Sequence, residues 1–192
     1  HAGLVDVMGS EEDILAQMRE LVSMLPSNFE DNSSYIECTD DLNRICPDLE
    51  NCAGDTSIAL SQIADNQEFF EVKAEYAKDM VTGFIRLNGA TVGCVANRSE
   101  LYNEEGEKTE TFEKVLSARG CKKAAEFVKF CDAFDIPVLT LTNVKGYKAT
   151  KCSEANMARS AAELTNAYIS ATVPKVNVVV GEAFGSAYLT MN

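Results

Sequence analysis

The chain has 192 residues, 46% of them hydrophobic and 24% charged, a length and composition typical of about one globular domain. Its net charge of -13 argues against broad nucleic-acid binding, which requires a basic face, so we expect no nucleic-acid partner. No apolar run approaches the roughly twenty residues that span a bilayer, so we expect no direct membrane insertion.

The seven cysteines form no C-x-x-C pair and no cluster with a histidine. An odd number in this pattern favours neither a disulfide framework nor a zinc site, so we expect no metal. Cys131 is predicted to be a small buried hydrophobic residue. A cysteine nucleophile is disfavoured because the only histidine is His1. The pattern indicates a reducing, cytoplasmic compartment.

The first third of the chain predicts one helix and a long arm. Ser10 and the acidic residues after it precede an apolar run at helical spacing, which predicts a capped amphipathic helix that Pro26 ends. Residues 27–66 have little periodicity, and they predict a connecting arm with one short helix near 57–64 that lies against something else. Because the chain starts with His1 rather than methionine, we expect it to be a fragment.

The next region predicts a hairpin and then a solvated excursion. Met80 to Leu87 and Thr91 to Ala96 are strand-like runs around Asn88-Gly89, a strong hairpin signal. Residues 97–113 are acidic and polar, with a turn at 103–106, and we expect them to be solvent-exposed.

The remaining elements alternate between helix and strand. We predict a helix over 117–134, a strand over 136–142 that Pro137 begins, a loop containing Gly146, a helix over 153–170, a strand over 174–180 and a helix that starts near Gly185. This order predicts an α/β protein whose sheet, after the hairpin, is mainly parallel with right-handed crossovers and flanking helices.

The segment from Val176 to Tyr188 combines a buried-strand pattern with a helix start. Its uninterrupted valines are unusual for a half-exposed strand, and Gly185-Ser186-Ala187 permits another molecule to approach the backbone closely. Amides in the first turn of a helix have no internal partner and receive a carbonyl oxygen that gains negative charge. An ordinary strand–turn–helix junction with small residues for packing explains the same pattern.

Several segments resemble one enzyme family. They are Phe70-Glu71-Val72, Tyr76-Ala77-Lys78, Gly83-Phe84-Ile85-Arg86-Leu87-Asn88-Gly89, Thr91-Val92-Gly93, Phe127-Val128-Lys129-Phe130-Cys131-Asp132-Ala133-Phe134, Ile136-Pro137 and Ala171-Thr172-Val173-Pro174-Lys175-Val176. In this order they look like the carboxyltransferase subunit of biotin-dependent acyl-CoA carboxylases and of the related sodium-pumping acyl-CoA decarboxylases. The resemblance covers essentially the whole chain.

The resemblance implies a crotonase (ClpP)-like fold in a subunit of two such domains. Residues 1–66 correspond to the interdomain helix and arm, and residues 67–192 to a C-terminal domain that is truncated at its C-terminus. In this family a carboxyl group moves between N1 of biotin and the α-carbon of an acyl-CoA thioester, and no metal is needed at this step. Backbone oxyanion holes in both domains stabilise the two reacting carbonyls, and each site lies between two subunits.

The resemblance also assigns site residues. The backbone N–H groups of Ser186 and Ala187 correspond to the oxyanion hole of the C-terminal domain. The substrate and biotin pocket corresponds to Gly146, Tyr147, Gly185, Tyr188 and Leu189. The chain departs from the family at Ser186, usually glycine; at Leu189, where many members have aspartate; and at Asn143-Val144-Lys145-Gly146-Tyr147, usually Asp-Val-Pro-Gly-Phe.

Lys145, Lys148 and Lys151 form a basic cluster in an acidic chain. One interpretation is a rim that attracts a CoA phosphate or the carboxylate of the transferring group. The alternative is ordinary solvated surface lysines.

The expected partners are a biotin carboxyl carrier protein, a biotin carboxylase or a membrane decarboxylase subunit, and further copies of the chain in a homo-oligomer. Biotin is expected on a separate carrier because this chain has no Met-Lys-Met sequence. Two alternatives stay open: the α-subunit of a sodium-pumping decarboxylase, which runs the transfer in the opposite direction, and a degenerate crotonase-like interaction domain without activity. A hydratase or isomerase is less well supported, because no pair of positioned carboxylates is evident.

Overall fold

Six α-helices and nine β-strands are present in the parts of the chain that the structure, a computed structural model, describes: residues 3–28, 30–46, 49–103 and 105–192. The helices are α1 (Glu11–Met24), α2 (Leu49–Cys52), α3 (Thr56–Ile63), α4 (Ala118–Ala133), α5 (Lys151–Ser170) and α6 (Gly185–Thr190). The strands are β1 (Phe70–Glu71), β2 (Met80–Leu87), β3 (Ala90–Asn97), β4 (Glu100–Tyr102), β5 (Lys108–Thr111), β6 (Val115–Leu116), β7 (Val138–Val144), β8 (Gly146–Tyr147) and β9 (Lys175–Ala183).

The central sheet has five strands in the order β1-β2-β3-β7-β9. The β2–β3 hairpin is antiparallel and turns at Asn88-Gly89, whereas β3, β7 and β9 run parallel to one another. The connections between the parallel strands contain α4 and α5, which pack against each other. The predicted α/β class, the hairpin and the mainly parallel sheet are therefore confirmed.

Side-chain alternation along the hairpin produces a core on each face of the sheet. Phe84 and Val95 belong to the larger core, which α1, α4, α5 and α6 cover. Ile85 and Ala96, one position further along their strands, belong to a smaller core that Leu60 of α3 completes. Successive residues of a strand point to opposite faces, so the sheet is covered on both sides.

Local capping explains where the long helices start. In α1 the Ser10 hydroxyl accepts from the Asp13 N–H and the Asp13 carboxylate accepts from the Ser10 N–H, which is a capping box. The helix ends at Met24, before Pro26, as predicted. Ser117 caps α4 and Thr150 caps α5, so each helix begins where a side-chain oxygen satisfies its free amides.

The valine-rich strand is not buried as predicted. Val176, Val178 and Val179 are 59%, 42% and 46% exposed. In the described sheet β9 is an edge strand, paired only with β7, so its outer side meets solvent. The apolar run correctly predicted a strand, but the prediction that this strand is buried within the sheet was wrong.

The arm and the acidic excursion have more structure than predicted. The arm contains α2 and α3, and Leu60 in α3 is fully buried against the sheet, which confirms that the arm lies against something. Within the excursion β4 and β5 form a small hairpin, and all of β5 is exposed. Part of the predicted turn, Glu104, lies outside the described residues.

Candidate functional site

The junction between β9 and α6 contains the predicted oxyanion hole. Gly185, the first residue of α6, has φ +58, a conformation that favours glycine. Ser186 has no such φ, so a serine is accommodated there. Phe184 provides no side-chain cap for α6, and the amides of Ser186 and Ala187 have no hydrogen-bond acceptor among the described residues. The start of this helix can therefore donate hydrogen bonds to an incoming oxygen.

Open space borders the two predicted pocket glycines. A β-carbon built at Gly146 or at Gly185 meets no atom within 4 Å. Phe184 and Leu189 expose 60% and 64% of their surface on either side of the Ser186 and Ala187 amides in sequence. An apolar ligand group therefore has both room and partners at this junction.

Tyr147 connects the predicted pocket loop to α6. Its hydroxyl lies 2.7 Å from the Thr190 hydroxyl, and Thr190 Oγ1 donates to the carbonyl of Ser186 at 3.0 Å. Gly146 and Tyr147 were expected in a loop, but they form β8 and pair with β6. Tyr188 is half-buried against the core. The structure thus brings Tyr147, Gly185, Ser186 and Ala187 into one connected unit.

The segment before Gly146 also differs from expectation. The predicted strand stopped at Thr142, but β7 continues to Val144 because Val144 pairs with Ala183 of β9. Asn143 and Val144 are consequently buried residues of the sheet and not part of a surface loop. The carbonyl of Val144 accepts the N–H of Phe184 at 3.1 Å, directly before α6.

The three lysines of the predicted rim do not all border one cavity. Lys148 lines a cleft of about 530 Å³ together with Arg119 and Lys122 from the start of α4. Asp79 and Tyr76 form part of its other wall. Lys145 and Lys151 are not among the described residues that line this cleft. The cleft carries three cationic side chains and one acidic side chain, although the whole chain is strongly acidic.

Two buried cationic side chains, Lys123 and Arg98, were not predicted from the sequence. Lys123 is 1% exposed, and its ammonium donates to the carbonyls of Lys73, Tyr76 and Met80 at 2.7 to 2.9 Å. Burial lowers the pKa of Lys123 to about 8, against smaller opposing effects from nearby Glu71 and Asp79.

Arg98, 3% exposed, donates from Nε to the Lys78 carbonyl at 2.7 Å and pairs with Glu71 and Asp55 at 3.2 and 3.6 Å. The two cations fix the loop 72–79 between β1 and β2, which borders the cleft. The helical period of α4 could have predicted that Lys123 is buried. Lys123 lies on the inner face of the helix with Phe127, whereas Lys122 lies on the outer face.

The cysteine prediction is consistent with the buried thiols. Cys131 is fully buried, as predicted, and burial raises the pKa of its thiol, which disfavours the thiolate. Cys38, Cys46, Cys94 and Cys121 are also free thiols. Among the described residues no group of three or more His, Cys, Asp or Glu side chains is placed to bind a metal ion. Over the same residues, no helix has the length and apolar character of a membrane span.

Comparison with known proteins places this geometry in a family. The family model for the carboxyl transferase domain matches residues 2–192. The chain belongs to the carboxyl transferase domain family. It is 37% identical to the propionyl-CoA carboxylase beta chain of Roseobacter denitrificans over 191 residues, which cover 95% of this chain and 36% of that protein.

Two further relatives extend the comparison of this carboxyl transferase chain. It is 32% identical to the methylmalonyl-CoA decarboxylase subunit alpha of Veillonella parvula, over 95% of this chain and 35% of that protein. A solved structure of transcarboxylase 12S, a hexamer with hydrolysed methylmalonyl-coenzyme A bound, matches with a TM-score of 0.85 and 32% identity, over 99% of this chain and 37% of that one. The predicted crotonase-like fold is confirmed. The chain spans about a third of the length of the relatives it matches.

Proposed function

We propose that this carboxyl transferase chain provides one half of an active site that moves a carboxyl group between biotin and the α-carbon of an acyl-CoA thioester. One observation carries the proposal: α6 begins with the uncapped amides of Ser186 and Ala187, next to open space, in a chain of this family. Residues 67–192 contribute this half as the C-terminal domain, and residues 1–66 connect it to the preceding domain.

The Ser186 and Ala187 amides act by electrostatic stabilisation. Carboxyl transfer places negative charge on a carbonyl oxygen of each reactant, and fixed N–H donors stabilise that charge without reorganising. Because both donors belong to the backbone, their geometry depends on how α6 is fixed and not on the side chains of Ser186 and Ala187 themselves. Thr190 and Tyr147 contribute by binding the first turn of the helix to β8.

Biotin, when it is delivered on its carrier protein, supplies the nitrogen to which the carboxyl group is attached. The residues present suit such a group: the free amides of Ser186 and Ala187 match a carbonyl oxygen, and the open space at Gly146 and Gly185 leaves room for a ring beside Tyr147 and Tyr188. The chemistry requires no metal in this half of the site.

The acyl-CoA substrate is proposed to contact two different surfaces. Leu189, exposed and apolar beside the amides, favours an uncharged acyl group. The cleft of Arg119, Lys122 and Lys148 is suited to an anionic group, either a CoA phosphate or the carboxylate in transfer. Lys145 and Lys151 contribute only to the field around its entrance.

The partners follow from the same chemistry. We propose a biotin carboxyl carrier protein, a biotin carboxylase or membrane decarboxylase subunit, and further copies of the protein in a cytoplasmic homo-oligomer. The transcarboxylase 12S relative is a hexamer, which supports self-association.

The decarboxylase direction is a second candidate, because the methylmalonyl-CoA decarboxylase subunit alpha is nearly as similar as the carboxylase chain. The transfer is reversible, so this chain alone does not set the direction. A biotin carboxylase encoded beside it would favour carboxylation, and a membrane decarboxylase subunit would favour decarboxylation.

The test is transfer from malonyl-type acyl-CoA substrates to free biotin or biocytin by the protein at its native length. A panel of α-substituents measures activity and the role of Leu189 together, and we expect the highest kcat/KM when the acyl group carries an uncharged substituent besides the carboxylate that is transferred. Absence of transfer with every acyl-CoA would favour the interaction domain without activity.

A further inference from the structure

A bulge in β9 lies directly before the candidate oxyanion hole. Thr142 pairs with Val179 and Val144 pairs with Ala183, so one residue of β7 faces three residues of β9. The two extra residues interrupt the backbone ladder, and a bulge of this kind changes the direction of the chain that follows. Any group that fixes the bulge therefore also fixes how β9 enters α6.

Asn143 is the single β7 residue opposite this bulge. It is 6% exposed, and its Oδ1 accepts a hydrogen bond from the Glu182 N–H at 2.9 Å. Its own N–H donates to Oδ1 of Asn97, at the end of β3, at 3.4 Å. A side-chain oxygen thus replaces the backbone acceptor that Glu182 would have in a regular ladder.

Gly181 packs against the same side-chain amide. A β-carbon at Gly181 would lie 2.5 Å from Oδ1 and 2.7 Å from Cγ of Asn143, much closer than unbonded atoms approach. The amide of Asn143 therefore occupies the space that a side chain at 181 would need. The hydrogen bond and this contact together leave the bulge a single packed arrangement.

The fixed bulge is continuous with the hole. Immediately after Glu182, Ala183 pairs with Val144, and the Phe184 N–H donates to the Val144 carbonyl. Gly185 then turns the chain into α6. Asn143 and Val144, adjacent in β7, thus determine the path of the backbone from Gly181 to the first turn of the helix.

We propose that Asn143 is a positioning residue of the transfer reaction, because its side-chain oxygen fixes the β9 bulge and thereby the amides of Ser186 and Ala187. The inference rests on the proposed function, since it requires these amides to receive the reacting oxygen. Asn143 itself acts through the backbone of β9 and not by contact with the substrate.

Two substitutions separate the acceptor from the rest of the side chain. Asn143→Leu has similar size but no acceptor, and we expect kcat to fall about 10- to 100-fold with KM changed by less than about threefold, because donors that are displaced from the oxyanion cost mainly transition-state binding. Asn143→Asp keeps an oxygen for Glu182, and we expect kcat within about threefold of the wild type. Asn166→Leu, an exposed position on α5, is the matched control and leaves kcat unchanged.

Amide hydrogen exchange over residues 181–187 provides a readout that does not depend on activity. We expect faster exchange in Asn143→Leu and wild-type exchange in Asn143→Asp, measured in the protein at its native length. If Asn143→Leu does not fold, Asn143→Ala removes the same acceptor without adding apolar volume, and the same results are expected.

Either of two results would overturn the inference: an active wild type whose kcat is unaffected by Asn143→Leu, or equal losses in the leucine and aspartate variants. A wild type that is inactive with every acyl-CoA would instead contradict the proposed function. In that case the exchange measurement still decides whether Asn143 fixes the bulge.

Discussion

Two irregular segments of this chain are fixed by opposite means. The loop 72–79 is fixed on its buried side by the charged side chains of Lys123 and Arg98, which donate hydrogen bonds to its carbonyl oxygens and to that of Met80 directly after it. The β9–α6 junction is fixed by the neutral side chains of Asn143 and Tyr147 and by backbone pairing. Removing a buried cation leaves its acceptors unpaired, and the cation also imposes a field, whereas neutral groups fix geometry and leave the nearby charge to the backbone amides. The contrast predicts that the first segment governs stability and the second governs catalysis.

The largest expected effect is on the cation-bound loop. In Lys123→Met three inward-facing carbonyls lose their donor, and we expect the free energy of unfolding to fall by about 3 to 4 kcal/mol at pH 7. Chemical denaturation measures it, with Lys129→Met on the exposed face of α4 as the control. A loss below about 1 kcal/mol, or a loss as large in the control, would remove the stabilising role of Lys123.

The titration of Lys123 makes the same loop pH-dependent. Its pKa is about 8 in the folded chain and 10.5 as an ordinary lysine. Below pH 8 both states bind the proton, so Lys123 adds no pH dependence. Between pH 8 and 10.5 the unfolded chain keeps a proton that the folded chain has released, so stability rises with pH, by up to about 3 kcal/mol.

The check is the difference in unfolding free energy between wild type and Lys123→Met, measured across this pH range. We expect that difference to grow as pH rises. A difference that stays constant would show that Lys123 titrates alike in both states.

Two tyrosines with similar hydrogen bonds test whether the β9–α6 junction affects catalysis separately from stability. Tyr147 bonds to Thr190 and Tyr168 bonds to Thr140, each through its hydroxyl, at 2.7 and 2.9 Å. Replacing either tyrosine with phenylalanine should cost about 1 kcal/mol of stability, the net value of one hydrogen bond. Only Tyr147→Phe should also lower kcat, because only Tyr147 binds α6. Equal kcat values in the two variants would show that the hydrogen bond between Tyr147 and Thr190 does not contribute to catalysis.

The smallest expected effect concerns the exposed cations of the cleft. Lys148→Gln should raise the KM for acyl-CoA by about two- to fivefold, the range of a solvated charge contact, and the effect should decrease in high salt. Lys145→Gln and Lys151→Gln should change KM less, since neither residue lines the cleft. Three equal effects would favour a general field over a defined cleft.

Patterns of local origin were predictable from the sequence, and those of tertiary origin were not. The Asn88-Gly89 hairpin and the inner face of α4 follow from turn chemistry and helical period, and both are confirmed. The valine run of β9 identified a strand but not its position at the sheet edge, because an apolar pattern does not specify the neighbouring strand.

The site residues divide in the same way. Ser186 and Ala187 were assigned by resemblance, and their helix start exists, while their role remains a proposal. The sequence predicts a loop at Asn143, because its hydrogen bond to Glu182 depends on a bulge in another strand, 39 residues further along the chain, which no local signal in β7 reveals. The burial of Lys123 was not predicted, because a lysine on an apolar helix face can be explained only when the carbonyl groups that it binds are known.

The contact between Asn143 and Gly181 also constrains the order in which this site can evolve. A side chain at 181 is excluded while asparagine occupies 143, so Gly181→Ala as a first substitution forces the bulge open. If Asn143→Ala comes first, the side-chain atoms nearest to position 181 are removed, and Gly181→Ala then costs much less. The two positions are therefore epistatic: Gly181→Ala costs most while asparagine occupies 143, and a route that begins at 143 avoids the steric clash but first loses the acceptor of the Glu182 N–H.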